Sequence, residues 1–247
     1  MSAADSTRLC VVRGGGDLAT GVVWRLTRAG FPVMVTELAH PLAVRRTVAL
    51  SAAVRAGVVD IEGMIGRLAS SVPAAVDVAL AGEVGVVVCP ELPQVDAAAV
   101  VDARLAKRNL STTIDDAPCV VALGPGFTAG VDCHAVVETL RGPRLGRVLW
   151  EGSAAPNTGT PGSIGGREAE RVVRAPVAGR VSWDVEIGEH VETGQLLGRI
   201  GEDDLRAACA GVVRGLIDPA TVVSAGLKIG DVDPRGDINC REISDKA

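Results

Sequence analysis

Between residue 9 and about residue 150, short β-branched runs alternate with Ala-rich amphipathic stretches and Gly/Pro turns, the pattern of strands alternating with helices. The runs predict strands at 9–13, 33–38, 84–89, 98–102 and 119–123, a further one at 148–150, and helices at 18–29 and 44–56. The expected fold class is therefore α/β, with a Rossmann-like, mostly parallel sheet domain over residues 1–150. Residues 151–171 collect Gly, Ser, Pro, Asn and Thr without an apolar period. They read as a linker or a long ordered loop whose hydroxyls and amides can also approach a ligand.

From 172 to 247 the runs become short, closely spaced and punctuated by Gly every few residues, an all-β signature. Sliding this segment over itself by 32 residues superposes Gly179 on Gly211, Val181 on Val213, Val191 on Val223, Gly194 on Gly226 and Gly198 on Gly230. Two half-domains of equal length that each leave an apolar face open are expected to pair about a pseudo-dyad as a small flattened β sandwich.

Of 247 residues 47% are apolar, enough for a sizeable core, and 25 basic against 30 acidic residues leave a net charge of −5. With no long basic tract, two Phe, three Trp and no Tyr, the chain is a poor match for nucleic acid. The longest apolar stretches, 84–89 and 119–123, end well before a membrane-spanning length, so no membrane partner is expected. The first seven residues are polar and lack the apolar segment of a secretory signal, from which a cytoplasmic protein is expected. Six scattered cysteines without a Cys-x-x-Cys pair read as buried thiols in a reducing compartment.

The first candidate for chemistry is Gly14-Gly15-Gly16-Asp17-Leu18-Ala19, between the first strand and the first helix. In this Gly-x-Gly-x-x-Ala form Gly14 makes the tight turn, Gly16 lets a diphosphate approach the backbone, and Ala19 lets helix and strand pack closely. Glu37, 21 residues after Gly16, stands where an acid accepts ribose hydroxyls. Asp17 works against an anion beside the turn, yet suits the start of a helix. Arg45-Arg46 follows the second strand; one of the two, taken as Arg45, is expected on a phosphate and the other in solvent. A second glycine loop, 124–130, offers Gly124, Gly126, Phe127 and Thr128 after a strand, either as a ligand-facing loop or as a rigid turn. Cys133 and His134 are neighbours and diverge, so no metal site is expected. No catalytic residue is assigned.

The segment with Ala175-Pro176-Val177-Ala178-Gly179, Ile187-Gly188-Glu189-His190-Val191 and Gly194-Gln195 resembles the biotinyl and lipoyl carrier (barrel-sandwich) fold. In such carriers the modified lysine stands on the hairpin between the halves. Here that hairpin is Gly201-Glu202-Asp203-Asp204-Leu205, without lysine, so neither biotin nor lipoate is expected. Read together, Arg13 to Gly21, Arg45-Arg46-Thr47-Val48, Gly124 to Gly130, Glu138-Thr139-Leu140-Arg141-Gly142, Asn157-Thr158-Gly159-Thr160-Pro161-Gly162 and Asp231-Val232-Asp233-Pro234-Arg235 resemble the YqeB-type accessory proteins of selenium-dependent molybdenum hydroxylase systems. That resemblance implies a part in maturing such enzymes or handling a molybdopterin dinucleotide, with a molybdenum hydroxylase or a cofactor-transfer protein as partner. An NAD(P)-dependent oxidoreductase is the alternative, opposed by the lack of a Tyr to pair with Lys as proton donor, and a non-catalytic interaction module is the third. A homo-oligomer is expected in each case.

Overall fold

The computed structural model describes residues 8–157, 170–236 and 238–247. The readings placed at 1–7 and at 158–169, including most of the linker and of the 157–162 string, lie outside the described residues. The chain divides into two compact units, one of residues 1–39, 49–157 and 243–247, the other of residues 40–48 and 158–242.

The first unit is built on a nine-stranded sheet of β1 (Cys10–Arg13), β2 (Val33–Glu37), β3 (Val58–Ile61), β4 (Met64–Ala69), β5 (Val84–Val88), β6 (Ala99–Asp102), β7 (Cys119–Leu123), β8 (Ala135–Val137) and β9 (Val148–Leu149). The strand order is β3-β4-β5-β2-β1-β6-β7-β8-β9. All pairs from β4 to β8 are parallel, and β3 and β9 close the two edges antiparallel. The central strands are apolar up to their carboxyl ends because both faces of the sheet are covered. Val11 and Met34 enter one apolar layer, while Cys10, Val12, Val33 and Val35 enter the other, as the two-residue period requires.

Three helices accompany the sheet: α1 (Asp17–Arg28), α2 (Ala53–Ala56) and α3 (Val72–Leu80). α1 buries Ala19, Thr20, Gly21 and Val23. α3 begins where the Ser71 hydroxyl accepts the Ala74 N–H, a cap that fixes the chain's entry into the helix. It lies so close to β5 that a Cβ on Gly85 would sit 2.0 Å from the Ala75 carbonyl oxygen.

The expected helix at 44–56 does not form as one element. Turns of 3-10 type occupy Arg46–Val48 and Leu50–Ala52, and only the four residues of α2 follow. Leu50 N–H donates to the Thr20 hydroxyl and Ser51 N–H to the Gly15 carbonyl, bonds that remove those amides from any helical ladder.

The second unit carries β10 (Val172–Arg174), β11 (Gly179–Trp183), β12 (His190–Val191), β13 (Leu196–Ile200), β14 (Asp203–Arg206), β15 (Gly211–Leu216), β16 (Val222–Val223) and β17 (Lys228–Asp233). These form two antiparallel sheets of four strands, β10-β17-β15-β12 and β14-β13-β11-β16. Strands β11, β12 and β13 stand in the positions that β15, β16 and β17 occupy in the 32-residue repeat. Each half lends its short middle strand to the sheet of the other: β12 pairs with β15, and β16 with β11. Leu197, Ile200, Val213, Leu216 and Ile229 fill the shared core.

The expected class, a Rossmann-like domain followed by a barrel-sandwich domain, is thus corrected. The first sheet is mixed and nine-stranded, and the connections β5–β6, β6–β7 and β7–β8 contain no α-helix. The sequences there explain it. Pro90 and Pro93 interrupt the first, Asn109 to Thr113 favours turns and caps in the second, and four of the residues at 124–130 (Gly124, Pro125, Gly126 and Gly130) are Gly or Pro in the third. The remainder is a pair of four-stranded antiparallel sheets.

Candidate functional site

The chain leaves β1 for β2 on one side, while β6, paired to β1 on the other side, leads on to β7. Loops after two such neighbouring strands part in opposite directions and open a crevice beyond their carboxyl ends. Three loops meet there. A Cβ on Gly14 would stand 3.1 Å from the Arg104 Cα, and one on Gly126 would stand 2.5 Å from the Arg108 Cα. The stretch between β6 and β7 therefore joins the two glycine loops, with Asn109 N–H donating to the Gly126 carbonyl. Within it Leu105 (φ 53°) and Lys107 (φ 63°) are left-handed although neither is glycine, a conformation that costs of order 1 kcal/mol or more each and persists only where neighbours impose it.

Beneath this crevice lies an ionic cluster. Asp102, at the end of β6 and 1% exposed, accepts from Arg104 Nε (3.1 Å), from Arg104 Nη2 and from the Thr112 hydroxyl (2.6 Å). Arg13, at the end of β1 and equally buried, donates to the Thr112 and Ser111 hydroxyls at 2.9 Å each, while its Nε has no hydrogen-bond partner among the described residues. Burial pushes the Asp102 carboxyl up, but the bonds from Arg104 and Thr112 outweigh it and hold the group below its ordinary value. Burial, then the Arg104 guanidinium, moves Arg13 down. Two guanidiniums thus converge on Asp102, with the Asp116 and Glu91 carboxylates also acting on Arg13.

The first glycine turn has a different occupant from the expected diphosphate. Gly15 N–H donates to Glu37 Oε2 at 2.8 Å and Leu38 N–H to Glu37 Oε1 at 2.7 Å, so the acid at the end of β2 reaches back into the turn. Burial raises the Glu37 carboxyl above its usual range despite both amides. Gly14 has φ +88° and gives its N–H to the Thr36 carbonyl. Gly16 is the cap of α1 and has no atom within 4 Å of where a Cβ would stand, Asp17 occupies the first turn of α1, and Ala19 is buried against the sheet.

In the second glycine loop Gly124 (φ +76°) turns beside Thr139, whose Oγ1 would be 2.6 Å from an added Cβ. Phe127 is 3% exposed and belongs to the core, so it does not face a ligand. Thr128 is held by its N–H on Asp132 at 2.7 Å and by its hydroxyl against Ser153 at 3.1 Å. Arg45 lies in the second unit, where it donates to the Glu242 carbonyl at 3.1 Å. The structure thus brings Gly14, Gly15, Gly16, Glu37, Gly124 and Gly126 together and leaves Phe127 in the core.

Sequence reasoning missed Arg13, Asp102, Arg104, Lys107 and Thr112. Arg13 and Asp102 are the charged last residues of otherwise apolar strands, the one signal available. Cys133 is buried, with its thiol pushed up to about 11, and His134 Nδ1 accepts the Val120 N–H. Among the described residues no His, Cys, Asp and Glu side chains gather as a metal-binding group, and no helix is long and apolar enough to cross a membrane.

No family model matches the chain. Over 244 residues it is 46% identical to the protein of Escherichia coli (strain K12) named Uncharacterized protein YqeB, across 97% of this chain and 45% of the relative. The likeness to YqeB-type proteins is shown over that span, which is a little under half the length of this curated relative. An aspartoacylase family protein from Mesorhizobium loti aligns over 91% of this chain and 84% of its own, at 12% identity and a TM-score of 0.30. The apo Ectoine utilization protein EutE (DoeB) from Ruegeria pomeroyi aligns over 90% and 85%, at 12% identity and a TM-score of 0.28. A succinylglutamate desuccinylase/aspartoacylase from Rhodobacter sphaeroides is 30% identical over 30% of this chain and 24% of its own, with a TM-score of 0.25. Likenesses at these scores carry no argument about this chain. The labels Rossmann-like and lipoyl-like are corrected by the topology.

Proposed function

We propose that this chain is an accessory protein that binds a nucleotide-type small molecule in the crevice beyond the carboxyl ends of β1 and β6. The observation that carries the reading is the buried cluster of Arg13, Arg104, Asp102 and Thr112, which sets two guanidiniums at the strand ends beside two glycine loops. A phosphate there sits toward Arg104 and Lys107, because the Gly15 amide is engaged and the Glu37 carboxylate repels an anion at the first turn. Glu37 keeps lone pairs that can accept sugar hydroxyls.

Titration calorimetry with ADP and with inorganic pyrophosphate tests this. ADP binds saturably, Arg104→Met and Lys107→Ala each weaken it by about tenfold or more, and Glu37→Gln weakens ADP but does not weaken pyrophosphate. Absence of binding by both probes, or parent-like affinity in the Arg104 and Lys107 variants, refutes the reading.

A further inference from the structure

The β9 edge of the first unit's sheet is explained neither by its cores nor by the crevice. β9 pairs with β8 on one side and, among the described residues, with no other strand. Natural sheet edges are usually blunted by charge, by a bulge or by a covering segment. This one is two residues long yet presents apolar surface: Val148 is 44% exposed, Leu140 45% and Trp150 71%. Of the three tryptophans, Trp183 donates its indole N–H to the Ile217 carbonyl and Trp24 is stacked by Arg25 and Arg28. The Trp150 indole N–H has no partner among the described residues.

The turn that leads into β9 is basic. Arg144 and Arg147 are exposed, Arg144 near enough to help hold the buried Glu138 carboxyl below its ordinary value, whereas Arg141 is engaged with Asp245 through paired bonds of 2.9 Å and Glu151 is the acid next to Trp150 in sequence. A second copy pairing through the same edge would set Arg144 and Arg147 against their own counterparts, so the local positive strip selects against self-pairing, whereas an acidic segment meets it with opposite charge. An exposed Trp beside a strand edge that is open among the described residues combines an anchor of the kind that dominates binding energy with outward backbone groups that can start a ladder.

We infer that the β9 edge docks an extended, acidic segment of a partner polypeptide, which adds as a strand beside Val148 and Leu149, sets carboxylates on Arg144 and Arg147 and packs an apolar side chain on Trp150. The backbone supplies the ladder, Trp150 the anchor and the two arginines the choice of sign.

The test is fluorescence anisotropy of the full chain with labelled synthetic peptides of alternating Glu and Val, of alternating Lys and Val, and of the Glu-Val sequence with N-methylated amides, together with an oligothymidylate. The Glu-Val peptide binds saturably, and Trp150→Ala and the double variant Arg144→Glu/Arg147→Glu each weaken it by about tenfold or more, with circular dichroism unchanged in both. The Lys-Val peptide, the N-methylated peptide and the oligothymidylate stay at background. Failure of the Glu-Val peptide to bind, equal binding of either control peptide, tighter binding of the oligothymidylate, or parent-like affinity in Trp150→Ala overturns the inference. So does self-association of the peptide-free chain that Trp150→Ala abolishes, since a second copy is then the occupant.

Discussion

Replacing Asp102 by Asn keeps the shape of the side chain and removes the charge on which the crevice floor converges. In the parent, Asp102 accepts from both the backbone and the guanidinium of Arg104 and from the Thr112 hydroxyl, which in turn receives Arg13. An amide in its place turns one accepting atom into a donor that faces Arg104 or Thr112. Removing one partner of a buried pair costs about 3–5 kcal/mol, and because the Arg104 side chain keeps 17% exposure and can rehydrate in part, the lower end, about 3 kcal/mol, is expected. The loss depends on pH in one direction. The folded-state value of Asp102 lies below its unfolded value, so its contribution is complete above the unfolded value and disappears as pH falls through the folded one. Denaturant unfolding followed by circular dichroism should therefore show the full difference between parent and variant at about pH 7 and a shrinking one below about pH 4. A difference under about 0.5 kcal/mol at neutral pH, or one that stays constant in acid, refutes the assignment of Asp102 as the hub.

Three further outcomes follow from the geometry. Gly85→Ala, whose Cβ would meet the Ala75 carbonyl at 2.0 Å, should cost about 3 kcal/mol in denaturant unfolding, while Gly16→Ser, with open space and a cap to make on α1, should change stability by only about a few tenths. Glu37 has the opposite sign to Asp102: its folded value is raised, so its contribution is present below the unfolded value and lost as pH rises through the folded one, and Glu37→Gln should gain stability relative to the parent as pH increases above about 4.3. Cys10 is 2% exposed, with its thiol pushed up to about 11 by burial and then by Cys119, so iodoacetamide followed by mass spectrometry should label exposed Cys119 in the folded chain and Cys10 only after unfolding.

The strands of the first unit were legible because apolar β-branched runs report burial directly: β1, β2, β5, β6 and β7 all fall within the runs that predicted them. The connections were less so. Residues 44–56 have helical periodicity, but amides at Leu50 and Ser51 find tertiary acceptors that no local pattern reveals. The 32-residue repeat was readable because glycine positions are set by backbone geometry, as at Gly211, whose absent Cβ would lie 2.2 Å from the Asp233 carbonyl oxygen. At the candidate site the glycine spacing located the first turn but could not show that Glu37 fills it. Spacing specifies how far apart two groups are along the chain, whereas the direction of a carboxylate is decided by which amides lie within its reach. Arg13 and Asp102 became neighbours through the parallel register of β1 with β6, a pairing across almost ninety residues of chain.

The reciprocal loan of short strands in the second unit has a consequence for how it can come apart. Cleavage of the Gly201–Glu202 bond would give fragments that each keep the two central strands of one sheet but lack the foreign strands on both of its edges, so neither should hold a native sheet alone, and mixing should restore both together. Two copies expressed side by side carry the same risk, because a half from one molecule meets in the other the same complement it would find at home.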